Sequence, residues 1–136
     1  MLNNETTLAA IRWDIDVAQS EKEVSFFKNT IVRALLGVNL FFAGVNFGVL
    51  GYFIRPADSL LVLHYNVYFG VEIQGVWWQV FILPIAGVFF LFGHTIFARA
   101  FYEKSERIAA YLMLFGSALL NGGILIAGVG IAFINY

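Results

Sequence analysis

Few side chains in this 136-residue sequence carry the chemistry of a catalytic or metal site. Cysteine is absent, which removes disulfides, thiolate nucleophiles and cysteine-bound metals. The two histidines, His64 and His94, fall in separate segments, and only His64 has a carboxylate in its own segment, Glu72. Extended chain would hold that pair about 26 Å apart, so the two meet only if the segment folds back or across subunits. His94 stands near Arg99 and reads as an interfacial side chain. Glycine-rich phosphate loops, zinc spacings, nucleophile elbows and paired intramembrane carboxylates do not occur in the sequence. The expectation is a protein that is not an enzyme, with no cofactor and no bound metal.

The composition sets the solvent in which the remaining residues must work. Apolar residues make up 60% of the chain and charged residues 12%, with 15 phenylalanines and a mean hydropathy of +0.80. Soluble domains are about half apolar and about a quarter charged. A net charge of −1 offers no basic field for nucleic acid. A soluble globular domain, a disordered tail, a disulfide scaffold and a nucleic-acid binder are thereby excluded, and an integral membrane protein remains. The first thirty residues carry five acids and no apolar core of signal-peptide length.

Charges divide the sequence. Uncharged stretches of 21, 26 and 29 residues lie between Arg33 and Arg55, between Glu72 and Arg99, and from Ile108 to Tyr136. About 20 apolar residues span the hydrocarbon core. These stretches predict an all-α membrane protein with three transmembrane helices, about 31–54, 76–98 and 108–134, following a helical cytoplasmic segment over 1–30. Lys22, Lys28, Arg33, Arg99, Lys104 and Arg107 belong to one side and Arg55 alone to the other, so the N-terminus and the 99–107 turn are expected to be cytoplasmic. The 55–75 loop and the C-terminus then face outward from the inner (plasma) membrane. Tyr52, Phe53, Trp77, Trp78, Phe101, Tyr102, Tyr111 and Tyr136 sit where interfacial aromatic anchors belong. Pro84 inside the second span predicts a kink or a freed carbonyl.

The outer loop is unusual. Residues 61–72 read LVLHYNVYFGVE, rich in strand-favouring types and alternating in polarity. This predicts a β-like element over 60–72. Leu61, Leu63, Tyr65, Val67, Phe69 and Val71 fall on one face, and His64, Asn66, Tyr68 and Glu72 on the other. A lone strand needs a partner for its backbone, either by strand addition from another chain or by a bend near Gly70 or Gly75. His64, Tyr65, Asn66, Tyr68 and Glu72 are the candidate outer interaction residues. The segment His64–Glu72, followed by Gly75, Trp77-Trp78, Phe81, Leu83 and Pro84, resembles a family of uncharacterised small bacterial membrane proteins of the candidate-phylum type. That family's pattern carries Asp where this chain has Glu72 and Asn where it has His94. The resemblance spans about residues 60–135 and implies a three-helix membrane protein with no known activity.

Helical periodicity supplies the packing surfaces. At 100° per residue, Gly37, Gly44, Gly48 and Gly51 share one face of the first span, opposite Asn39, Ala43 and Asn46. On the third span, Ala109, Gly116, Gly123 and Gly130 form one seam, and Ala110, Ser117, Asn121, Gly128 and Ala132 a second. Small residues allow close helix approach, and buried amides hydrogen-bond between helices. Two seams on one helix imply two neighbours, one inside the chain and one in another subunit. The expected role is a non-enzymatic membrane scaffold or accessory subunit. Its expected partners are the lipid bilayer and either copies of itself or another membrane protein, with no nucleic acid. The alternative is an oligomeric channel or small-solute transport component, with the asparagines lining a polar path.

Overall fold

The computed structural model describes Glu5 and residues 7–9, 11–13 and 24–136. The first three of these pieces are helical; Glu21, Lys22 and Glu23, where the sequence predicts continued helix, lie outside the described residues. Phe26–Lys28 form a single 3₁₀ turn, and Asn29 is extended, so α1 makes a fresh start at its own cap. The elements that follow are α1 (Thr30–Phe53), β1 (Leu61–Asn66), β2 (Gly70–Gly75), a 3₁₀ turn (Trp77–Phe81) leading into α2 (Ile82–Glu103), and α3 (Arg107–Ile134). All three helical segments are long and apolar enough to cross a membrane.

Local chemistry explains where these elements begin and end. Asn29 Oδ1 accepts from the Ile31 and Val32 N–H groups at 2.9 and 3.2 Å, pairing two of the four donors that a helix start leaves over. Pro84 is the third residue of α2 and is buried. Backbone N–H groups of a first turn have no intrahelical acceptor, so proline fits there and helps start the helix. The residues before it form the 3₁₀ turn, so the proline falls in the first turn of the α-helix and not in its middle. At its other end α2 continues past residue 98 to Glu103, carried by an Arg99–Glu103 pair at 2.7 Å one helical turn apart. It then stops in a Schellman motif: Glu106 N–H donates to Phe101 O, Ser105 N–H donates to Tyr102 O, both at 3.0 Å, and Ser105 adopts φ 64°.

The predicted β element closes on itself as an antiparallel hairpin. Asn66 Oδ1 accepts from Tyr68 N–H at 2.9 Å and Gly70 takes φ +80°, so three residues turn the chain without an Asn-Gly pair. The pairing runs Leu61 to Gly75, Val62 to Gln74, His64 to Ile73, Tyr65 to Val71 and Asn66 to Gly70. It skips Leu63 on one strand and Glu72 on the other, two compensating bulges that break the simple two-face alternation.

Helix α3 is the central element, packed along its length against both α1 and α2, which touch one another little. It runs parallel to α1 and antiparallel to α2. One apolar cluster at the basic end joins Phe26, Val32, Ala98, Tyr102, Ala110 and Leu114. The other joins Leu50, Ile54, Val80 and Ala132 and carries the hairpin base through Leu61 and Leu63.

The left-handed Ser105 yields a first test. Such a conformation costs a non-glycine residue about 1–2 kcal/mol, part of which glycine returns as chain entropy. Ser105→Gly is therefore expected to stabilise the protein by about 1 kcal/mol, read from denaturation midpoints in detergent. A destabilised variant would contradict the helix-end geometry.

Candidate functional site

Between the two apolar clusters the interior is polar. Asn39 is fully buried and uses its whole amide. Its Nδ2 donates to Leu35 O at 2.9 Å and Leu114 O at 3.3 Å; its Oδ1 accepts from Ser117 Oγ at 2.9 Å and Asn121 Nδ2 at 3.0 Å. That is the full capacity of an amide side chain. Asn121 Nδ2 also donates to Ser117 O at 3.2 Å. Two turns further along α1, Asn46 Nδ2 donates to Ile124 O at 3.3 Å. Asn46 Oδ1 is the one buried side-chain polar atom without a hydrogen-bond partner among the described residues.

Two glycines make room for this ladder. A Cβ at Gly128 would collide with Asn46 Oδ1, and one at Gly87 with Asn121 Oδ1. Each amide oxygen therefore lies where a larger residue on the neighbouring helix would place its side chain. A Cβ at Gly122 would meet the Phe42 ring at 3.5 Å, an ordinary contact.

The predicted packing residues divide sharply. The amide face of α1 and the second stripe of α3 form the interior: Asn39, Ala43 and Asn46 against Ser117, Asn121 and Gly128. Gly37, Gly44, Gly48 and Gly51 on α1, and Gly116, Gly123 and Gly130 on α3, are exposed and would have no atom within 4 Å of an added Cβ. They make no helix contact within the chain. Beside Gly123 lies a groove of about 480 Å³ between α1 and α3, lined by Phe42, Ala118, Leu119, Gly122, Leu125 and Ile126.

On the hairpin, the turn brings His64 Nε2 to 3.1 Å from Glu72 Oε2. Both side chains are well exposed, and such pairs contribute little to stability. Tyr65 lies opposite Val71, and Asn66 is spent on the turn. The tip residues Val67, Tyr68 and Phe69 are 83, 91 and 80% exposed. His94 Nδ1 lies 2.7 Å from Phe90 O, one turn back on α2; a carbonyl only accepts, so Nδ1 carries the proton.

Three positions of structural weight escape periodicity. Besides capping α1, Asn29 donates from Nδ2 to Tyr111 Oη at 2.9 Å and Tyr102 Oη at 3.2 Å, linking all three helices at the basic end. Asn135 lies just beyond α3. It accepts from Val62 N–H and donates to Val62 O, both at 2.8 Å, and donates to Ile131 O at 2.9 Å. It thereby does for one residue of β1 what a neighbouring strand would do. Gly75 is the third: an added Cβ would strike Gln79, whose Oε1 accepts from Val76 N–H at 3.0 Å. An asparagine directly before or after an apolar run is the signal that marks the first two.

No family model, no curated protein and no solved structure matches this chain. The resemblance carried by the His64–Glu72 segment therefore assigns it to no family.

The two classes of glycine are separable by experiment. Leucine at Gly87 or Gly128 is expected to destabilise the monomer by about 1–3 kcal/mol through overpacking. Leucine at Gly44 or Gly123 is expected to leave monomer stability within about 0.5 kcal/mol. Unfolding midpoints in detergent check this; equal losses at all four positions would contradict the assignment.

Proposed function

We propose that the chain is a multi-pass protein of the bacterial inner membrane. Its N-terminus is cytoplasmic and its C-terminus and hairpin face outward. It works without catalysis, as a scaffold or accessory subunit that joins copies of itself or another membrane protein through the glycine faces of α1 and α3. The observation that carries this reading is the set of seven outward glycines with open space above each. Glycine lowers helix propensity and supplies no apolar surface, so an unpartnered row of it is a poor lipid-facing choice and a good close-packing one.

Other features support the membrane setting. Large apolar side chains, among them Leu40, Phe41, Phe89, Phe92, Leu119 and Ile126, stand exposed along all three helices. Water would disfavour so extensive an apolar surface. Lys28, Arg33, Arg99, Lys104 and Arg107 gather at one end and Arg55 at the other, the asymmetry that orients membrane proteins. Asn39, Asn46 and Asn121, which a channel reading needs along a polar path, are buried between α1 and α3 and bond within the chain. That favours the scaffold reading. Of the two alternatives the sequence left open, the hairpin takes the bend near Gly70: its two strands pair with each other, so no second chain is needed to complete them.

Because the chain has no cysteine, single cysteines report cleanly. Ser59→Cys is expected to react with an impermeant thiol reagent applied outside intact cells, and Ser105→Cys only after the membrane is opened. The reverse pattern would overturn the orientation. For assembly, native mass spectrometry in mild detergent is expected to find the wild type in a defined complex. Gly123→Leu should be inserted but released as the 15.2 kDa monomer. An unchanged complex would remove α3 from the interface, and a monomeric wild type would overturn the scaffold reading.

A further inference from the structure

At the basic end, the 3₁₀ turn, the end of α2 and the start of α3 enclose a cavity of about 210 Å³. Phe26 and Phe27 line one side, and Arg99, Tyr102, Glu103 and Arg107 line the other. The polar side is organised. Arg99 Nε donates to Glu103 Oε1 at 2.7 Å, a bond that occupies neither of its terminal amino groups. The Arg107 guanidinium lies 5.6 Å from the centre of the Tyr102 ring, within cation–π range. Tyr102 is itself fixed: its hydroxyl donates to Val24 O at 2.7 Å and accepts from Asn29, and its ring meets Phe26 edge-on at 5.4 Å. Arg107 thus belongs to the node that joins the three helices, and Arg99 lines the same cavity beside it. Among the described residues, the lining sets these two guanidiniums against the single carboxylate of Glu103.

We propose that this cavity holds the phosphate of an anionic phospholipid of the cytoplasmic leaflet. The inference rests on the membrane orientation proposed above. A guanidinium presents paired N–H donors that match phosphate oxygens, and weak hydration suits it to a partly apolar rim. Phe26 and Phe27 add apolar surface to the lining, which the glycerol and acyl chains of a lipid could meet. A phosphatidylglycerol headgroup brings only hydroxyls beyond its phosphate. A phosphatidylcholine headgroup would bring a quaternary ammonium against two guanidiniums. The cavity therefore selects by charge as well as by phosphate shape.

The test uses the full-length protein in nanodiscs of equal phosphatidylglycerol and phosphatidylcholine, with retained lipids counted by native mass spectrometry. The wild type should keep phosphatidylglycerol in preference. The double variant Arg99→Gln/Arg107→Gln should lose that preference by about tenfold, as expected for removed charge-assisted hydrogen bonds. Arg107→Lys, which keeps the charge and loses the fork, should fall between them, and covers the case of a misfolded double variant. Arg33→Gln removes a charge from the same end without touching the cavity and should bind as the wild type does. Equal retention of the two lipids, or an equal loss with Arg33→Gln, would overturn the site. Displacement of the lipid by millimolar inorganic phosphate would show a free-anion site and overturn the lipid assignment. A protein that stays out of the nanodiscs altogether would instead overturn the membrane reading.

Discussion

A buried amide in an apolar interior must find hydrogen-bond partners within the protein, and this constraint organises the molecule. Asn39 meets it completely, with two donors and two acceptors spent on Leu35, Leu114, Ser117 and Asn121. Three of those partners lie on α3, so the amide fixes both which helix lies beside α1 and the register in which it lies. Asn46 repeats the contact two turns on, against Ile124 and Gly128. Asn121 then carries the order to α2, where Gly87 leaves room for its oxygen. In the proposed membrane setting, apolar contact alone would specify such a register weakly, because lipid tails would compete with leucine for the same surfaces.

The rest of the architecture follows from α3 being held in this way. Its amide-bearing stripe is consumed inside the chain, and its glycine stripe is left outside, as is the glycine face of α1. The two ends are tied by single asparagines. Asn29 caps α1 and reaches tyrosines on both other helices; Asn135 pairs with the backbone of β1 and fixes the hairpin to the end of α3. A rigid interior with open close-packing faces suits a protein that acts by contact. The same basic-end node that orders the helices also sets Arg107 over the Tyr102 ring at the edge of a cavity that Arg99 lines too, which would link the fold to the proposed lipid site.

Much of the helical plan was legible because charge is costly in hydrocarbon, so Arg33, Arg55, Arg99 and Arg107 bracket the apolar runs. Seven-residue spacing also separates the amide face from the glycine face. Spacing names faces and not their partners, which is why the fits of Gly87 to Asn121 and of Gly128 to Asn46 could not be read from it. The hairpin was half legible. Its strand character is plain, but its turn relies on the Asn66 side chain and a left-handed Gly70 in place of an Asn-Gly pair. That turn is what joins His64 to Glu72, two residues that extended geometry would keep apart. The place of Pro84 was not legible for a related reason: it depends on where the helix begins, and the 3₁₀ turn before it moves that start to Ile82.

The central claim is that α3 shows its amide stripe to α1 and α2 and its glycine stripe to a neighbour. Oxidative cross-linking of single cysteines along α3 in native membranes tests this most directly, since the chain supplies no competing thiol. The account predicts cross-linked pairs of chains for cysteine at Gly116, Gly123 and Gly130, and none at Ser117, Asn121 or Gly128. Cross-linking at the second set, or at neither, would contradict it.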